Sequence, residues 1–261
     1  MTEPCPDAYV ALAEQLADAS GEIIRRYFRT PVDIETKADE SPVTVADREA
    51  EAAMRAIIED VCPDHGIFGE EFDFVRTDAA YAWVLDPIDG TKAFITGLPV
   101  FGTLVALMRN GLPILGVIDQ PIMGERWIGA AGRQTTLNGA PVAARQGSTL
   151  ETASLYATHP DMFSRGNDMA KMDALAAQVD LMRFGGDCYS YGLLASGHVD
   201  LVVEACLAIY DFMALVPVVT GAGGVMTDWN GQPLSRDSDG HVLAAANAAC
   251  HAGALALLRD A

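Results

Sequence analysis

The chain predicts a mixed, layered α/β (α+β) fold in which helices and an antiparallel sheet form one half, residues 1–148, and an alternating α/β arrangement forms the other, residues 149–261. Three observations carry this expectation. Apolar residues recur at helical spacing near the N-terminus, the stretch 101–131 reads strand, turn, strand, turn, strand, and from residue 154 onward short branched runs alternate with helical ones. With 261 residues, half of them hydrophobic, there is enough apolar material for a sizeable core within a single domain.

The elements follow in order. Tyr9, Leu12, Leu16, Ala19, Ile23 and Tyr27 mark an amphipathic helix over residues 7–28. A second helix follows Thr44, with Ala46, Ala50, Ala53, Ile57 and Val61 as its expected inner face and a stop at Pro63 and Gly66. Ile67 and Phe68 form a short strand leading to Gly69, Glu70 and Glu71. Tyr81, Trp83, Val84 and Leu85 suit a buried strand, and Pro87, which lacks an amide donor, is expected to end its ladder just after Asp86. Gly90 permits a tight turn, and Thr91 opens a helix. Strands are expected at 103–108, 114–120 and 126–131, joined by an Asn110-Gly111 hairpin turn and a turn at Pro121 and Gly124. The second half then reads as strand 154–158, helix 162–178, strand 181–184, helix 188–195, strand 199–203, helix 210–222, strand 224–227 and a last helix after Ala248.

Composition narrows the function. Asp and Glu total 36 against 17 Lys and Arg, a net charge of −19, which disfavours nucleic acid as a partner. An acidic protein that binds an anion needs local positive charge, and bound divalent cations are the usual way to supply it. The five cysteines lack metal-ligand or disulfide spacing and fit reduced thiols in a cytoplasmic setting. No basic-then-apolar leader opens the sequence, and no apolar run reaches the roughly 18 residues of a membrane span, so a soluble protein is expected.

Four segments offer acids at expected strand ends and loops: Thr44 to Asp47, Glu70 with Glu71, Asp86 with Asp89, and Tyr210-Asp211. Hard cations such as Mg²⁺ take oxygen ligands, and carboxylates from separate segments build such sites. Each segment also has an ordinary explanation: Thr44 and Asp47 have capping-box spacing, Glu70 and Glu71 suit a solvated strand end, Asp86 and Asp89 suit a turn, and Tyr210-Asp211 suits a helix start. Other chemistry finds less support. The five histidines lack metal-ligand spacing, no G-x-S-x-G elbow occurs, and Cys188 reads as a small buried hydrophobe. Asp237-Ser238-Asp239-Gly240 lacks the closing Glu of a calcium loop and reads as a surface turn.

Over nearly its whole length the sequence resembles the inositol monophosphatase superfamily of Mg²⁺-dependent, Li⁺-sensitive phosphatases. The resemblance rests on Gly69-Glu70-Glu71, on Trp83 to Thr91, which matches W-x-x-D-P-I-D-G-T, and on Tyr210-Asp211 with Gly221-Ala222-Gly223-Gly224. It implies a layered α-β-α-β-α sandwich, a homodimer, and two or three Mg²⁺ ions, with Mn²⁺ as an alternative. The implied ligands are Glu70, Asp86, the carbonyl of Ile88, Asp89 and Asp211. It also implies that Asp47 and Thr91, with Glu70, orient and deprotonate the attacking water, while the amides of Gly90 and Thr91 hold phosphate oxygens. Lys37 lies near another position of the family pattern.

Within the superfamily, Phe94 to Leu104, Ile118-Asp119-Gln120-Pro121, Glu125 to Gly129, Gly186 to Tyr189 and Ala195 to Asp200 are similar to the histidinol-phosphate phosphatases of histidine biosynthesis. That implies a small phosphorylated substrate, with Asp187 and Glu204 meeting its ammonium or imidazole. Ala208-Ile209 replaces the Lys-Pro often found in that branch before Tyr-Asp, a change at the substrate rim. Inositol, sugar or nucleotide-3′-phosphate hydrolysis remains the enzymatic alternative, and a metal-binding regulatory protein the non-catalytic one. An aspartyl-phosphate mechanism expects acids in a D-x-D motif, whereas Asp86 and Asp89 are three apart.

Overall fold

The computed structural model describes residues 3–31, 34–36 and 42–260, and in it alternate residues of each long strand enter different cores. The larger sheet has seven strands: β3 (Gly66–Gly69), β4 (Tyr81–Asp89), β5 (Gly102–Arg109), β6 (Leu112–Gln120), β7 (Glu125–Ala130), β8 (Thr136–Leu137) and β9 (Ala140–Pro141), in that spatial order. Only the β3–β4 pair is parallel. Trp83, Leu85, Val105, Leu107 and Val117 face one side, where they pack with Leu12, Leu16, Met54 and Ile58 of α1 (Asp7–Tyr27) and α2 (Val45–Val61). Val84, Leu104, Ala106, Ile118 and Trp127 face the other. A two-residue period has therefore sorted one strand set into two cores.

The second core lies between sheets. It holds α5 (Tyr189–Ala195), α6 (Ile209–Phe212) and α7 (Leu215–Gly221), which contribute Tyr191, Leu194, Phe212, Leu215 and Val218. Beyond it lies a five-stranded sheet of β10 (Ser154–Ala157), β11 (Leu181–Phe184), β12 (Leu201–Glu204), β13 (Val225–Thr227) and β14 (Val242–Ala245), in spatial order β11-β10-β12-β14-β13. Its far face, with Leu155, Leu201, Val203 and Leu243, packs on α4 (Asp168–Ala176) and α8 (Ala248–Asp260). The layers thus run helix, sheet, helix, sheet, helix. A further short pair, β1 (Ile34–Thr36) and β2 (Pro42–Thr44), leads into α2, and α3 (Thr91–Ile95) follows β4. Among the described residues no helix is long and apolar enough to cross a membrane.

Several expected boundaries move. β4 does not end at Asp86: pairing breaks at a bulge after Asp86↔Leu104 and resumes at Asp89↔Gly102, because Pro87 removes one donor without preventing the next contact. The buried face of α2 is Ala46, Asp47, Ala50, Glu51, Met54 and Ile58, so Val61 is exposed and Ala53 and Ile57 are only half-buried. The helix expected over 162–178 is a 3₁₀ turn at Pro160–Phe163 followed by α4, with Gly166 in the left-handed region at φ 51° between them. The helix expected over 210–222 is split, and α7 restarts so that Pro217 falls in its first turn, where no intrahelical amide bond is required.

Candidate active site

The bulge in β4 builds the first part of the site. Freed from the ladder, the Ile88 amide donates to Asp86 Oδ1 at 3.0 Å, and the Thr103 hydroxyl donates to the Pro87 carbonyl at 2.8 Å. Asp86 is thereby fixed at the bulge near the end of β4, buried. Gly90 follows at φ 85°, a conformation that favours glycine, and a Cβ there would lie 2.8 Å from Asp187 Cγ. Thr91 then starts α3 and donates its hydroxyl to the Ile88 carbonyl at 3.2 Å.

The second half of the chain closes on this tip. The Cys188 amide donates to Asp89 Oδ2 at 2.6 Å, and the Ala208 amide, at the start of α6, donates to Asp211 Oδ2 at 2.7 Å. One oxygen from each of Asp86, Asp89 and Asp211 lies within 4.8 Å of the others. Glu70, which follows β3, acts electrostatically on Asp86 and is not one of the three. Burial, followed by the charges of Glu70, Asp89 and Asp211, pushes the Asp86 carboxyl well above its usual range. Asp89 is likewise raised by burial and then by Asp187 and Asp211. Carboxylates desolvated together and repelling one another suit a divalent cation, whose charge removes the repulsion and whose preference is for oxygen donors.

Asp47 caps the α2 N-terminus and feels the charge of Glu70. The Thr44 amide and hydroxyl donate to its Oδ2 at 2.8 and 2.6 Å, while the Ala46 amide donates to Thr44 Oγ1 at 3.1 Å, so the capping box is real. Yet Asp47 Oδ1 is buried and has no hydrogen-bond partner among the described residues. Burial raises this carboxyl, and the Glu70 charge adds to the rise. Glu70, Asp86, Asp89 and Asp211 come together with Ile88 and Thr91 on the same turn and Asp47 beside Glu70; Lys37 lies outside the described residues.

Next to the acids is a cavity of about 150 Å³, walled by Asp89, Asp211, Asp187, Glu204 and Tyr191, with Met162, Leu207 and Leu215 as apolar lining. Burial lifts Asp187 to about 6 against the lowering influence of Lys92, and burial pushes Glu204 up to about 7 despite donors from Thr158 and Tyr191. Sequence reasoning missed Tyr191, the Thr158 amide and the Cys188 amide. The available signal was positional: Cys188 and Tyr191 are three apart at the start of a helix that follows Gly185-Gly186. The Cys188 thiol is buried and raised by burial and by Asp89, so it stays protonated and inert. Among the described residues no histidine lines the cavity; His65 stacks on Tyr81, and His241 binds Asp168.

Comparison with known proteins identifies the family. The sequence profile of the inositol monophosphatase family matches residues 6–261. A chloroplastic bifunctional phosphatase, IMPL2, of Arabidopsis thaliana is 54% identical over 87% of this chain, and the match spans 66% of that longer protein. A histidinol-phosphatase of Chlorobaculum parvum is 35% identical over 92% of both chains. The structure of an inositol monophosphatase from Zymomonas mobilis superposes with a TM-score of 0.89 at 48% identity, covering 97% of this chain and 98% of its own. With its fold, its acid cluster and a profile match across almost every residue, this chain is a phosphatase of the metal-dependent inositol monophosphatase family.

Proposed function

We propose that the protein hydrolyses L-histidinol phosphate to L-histidinol and phosphate with Mg²⁺. One observation carries the choice of substrate: the cavity beside the acid cluster presents Asp187 and Glu204 and, among the described residues, is lined by no Lys or Arg. A leaving alcohol that bears an ammonium and an imidazole suits two carboxylates, whereas a neutral polyol gains only hydrogen bonds from them. The chain's similarity to a histidinol-phosphatase supports the same reading.

Asp86, Asp89, Asp211, Glu70 and the Ile88 carbonyl would hold the metal, and the all-oxygen donor set fits Mg²⁺ or Mn²⁺. When bound, the ions supply positive charge to the phosphate and make water more acidic. The chain's own groups do the rest. Asp47 Oδ1, left without a donor beside Glu70, accepts a proton from the attacking water. The Thr91 hydroxyl, whose proton is committed to the Ile88 carbonyl, presents oxygen lone pairs to orient that water. The amides at the start of α3, unsatisfied within the helix, receive phosphate oxygens.

We extend the reading to a homodimer. β11 is an edge strand of the five-stranded sheet and exposes Leu181 and Phe184, the kind of edge that a second copy covers. The unpaired cysteines fit a reducing compartment such as the cytoplasm. A panel of phosphate esters ranked by kcat/KM tests the assignment. Histidinol phosphate is expected to lead. Faster release of phosphate from inositol 1-phosphate would overturn the substrate while leaving the chemistry intact.

A further inference from the structure

Glu204 is buried at the end of β12, and both of its oxygens are held. The Thr158 amide donates to Oε1 at 3.1 Å, and the Tyr191 hydroxyl donates to Oε2 at 2.8 Å. Each oxygen keeps a lone pair for the cavity that both residues line. Burial, and then the Glu204 charge, pushes the Tyr191 phenol well above its usual value, so it remains a donor. Burying this hydroxyl is worthwhile only because it has this partner; a phenylalanine would pack the same space.

Tyr191 is also tied to the acid cluster. It lies three residues after Cys188, whose amide donates to Asp89, so less than one helical turn, a rise of roughly 4.5 Å, separates the two contacts. That turn cannot slide. Gly192 sits against the Trp127 ring, where a Cβ would lie 2.9 Å from it, and Trp127 Nε1 donates to Ser196 Oγ at 2.8 Å at the far end of the helix. The helix α5 therefore fixes Glu204 relative to Asp89.

We infer that Tyr191 is a positioning residue for substrate choice: through α5 it aims the Glu204 carboxylate at the cationic part of the leaving alcohol, at a set distance from the acid cluster. The inference rests on the proposed cationic-alcohol reading. Tyr191→Phe removes the hydroxyl and keeps the packing. With histidinol phosphate its KM is expected to rise roughly 10- to 100-fold, the range for losing a hydrogen bond to a charged group, while kcat stays within about threefold. With β-glycerophosphate, whose alcohol is neutral, kcat/KM is expected to stay within about threefold of wild type.

An equal loss on both esters would mean a structural role only, and no loss on either would mean no role; both overturn the inference. If Tyr191→Phe folds poorly, Glu204→Asp withdraws the carboxylate from both donors and should show the same split between KM and kcat; a wild-type KM there would also overturn it. Glu204→Gln separates the two readings. If it hydrolyses histidinol phosphate as the wild type does, the cationic-alcohol reading fails; if it loses that ester while Tyr191→Phe does not, only the positioning role fails.

Discussion

Thr44 donates both its amide and its hydroxyl to one oxygen of Asp47, at 2.8 and 2.6 Å, and leaves the other oxygen buried without a donor among the described residues. A cap needs only the first oxygen, so the second is available for chemistry. Asp47→Asn preserves an acceptor for Thr44 and turns an amide group toward Glu70. The expected outcome is a fall in kcat of about 10²- to 10⁴-fold, the usual contribution of a general base, with the helix still capped. Thr44→Ala probes the other role and should cost about 1 kcal/mol in chemical denaturation. Asp47→Asn with near wild-type kcat would leave the aspartate as a cap alone.

The three converging carboxylates predict opposite effects on stability and activity. In the metal-free protein Asp86 is buried among Glu70, Asp89 and Asp211, whose charges oppose its ionisation. Neutralising one member relieves that repulsion. Asp89→Asn is expected to keep or raise the melting temperature without metal, to show less stabilisation by Mg²⁺ than is expected of the wild type, and to lower kcat by at least about 10²-fold. Thermal melts with and without Mg²⁺, paired with phosphate release, check all three. Wild-type Mg²⁺-dependent turnover in this variant would remove Asp89 from the ligand set.

Much of this site was legible because local and global signals coincided. Trp83 to Thr91 carries an apolar strand, a proline, two acids and a glycine in nine residues. What stayed hidden depended on partners distant in sequence. β14, Val242–Ala245, has two alanines and little strand propensity of its own; it is a strand because β12 and β13 pair with both its edges and cores lie on both its faces. The inner face of α2 shifted because Asp47 and Glu51 are buried, and a hydrophobic pattern cannot announce a buried acid. Glu51 is there to accept from Arg55 and from the Glu71 amide, at 2.7 Å each.

Gly90 carries two requirements at once, a φ of 85° and an approach that would leave an added Cβ 2.8 Å from Asp187 Cγ. Gly90→Ala is therefore expected to displace both the start of α3 and Asp187. The cost in stability should be of the order of 1–3 kcal/mol, and kcat/KM for histidinol phosphate should fall further than that loss explains. Urea denaturation and steady-state kinetics on the same preparation separate the two. Unchanged kinetics would mean that the turn does not hold the phosphate.

His241 predicts a pH dependence away from the active site. Its Nε2 lies 3.0 Å from Asp168 Oδ2 and its Nδ1 lies 3.1 Å from Asp239 Oδ1, so both ring nitrogens face acids. Burial pulls the imidazole down, but hydrogen bonds and charge from Asp168 and Asp239 outweigh it and raise it above 6.5. Lys171 and Arg259 line the same cavity with Trp229 and do not reverse the shift. A base whose folded value is raised stabilises the fold fully below its unfolded value and loses that contribution as pH rises through the folded one. Burial raises Asp239, but hydrogen bonds and charge from His241 outweigh it and lower the carboxyl, so its contribution is full above the ordinary carboxylate value and is lost as pH falls through the lower folded one. His241→Gln should therefore destabilise the protein most between about pH 4.5 and 6.5, with the difference from wild type shrinking as the solution becomes alkaline. Unfolding free energies from urea titrations at pH 5.5 and pH 9 decide it, and a gap of equal size at both would mean that the imidazole is held neutral.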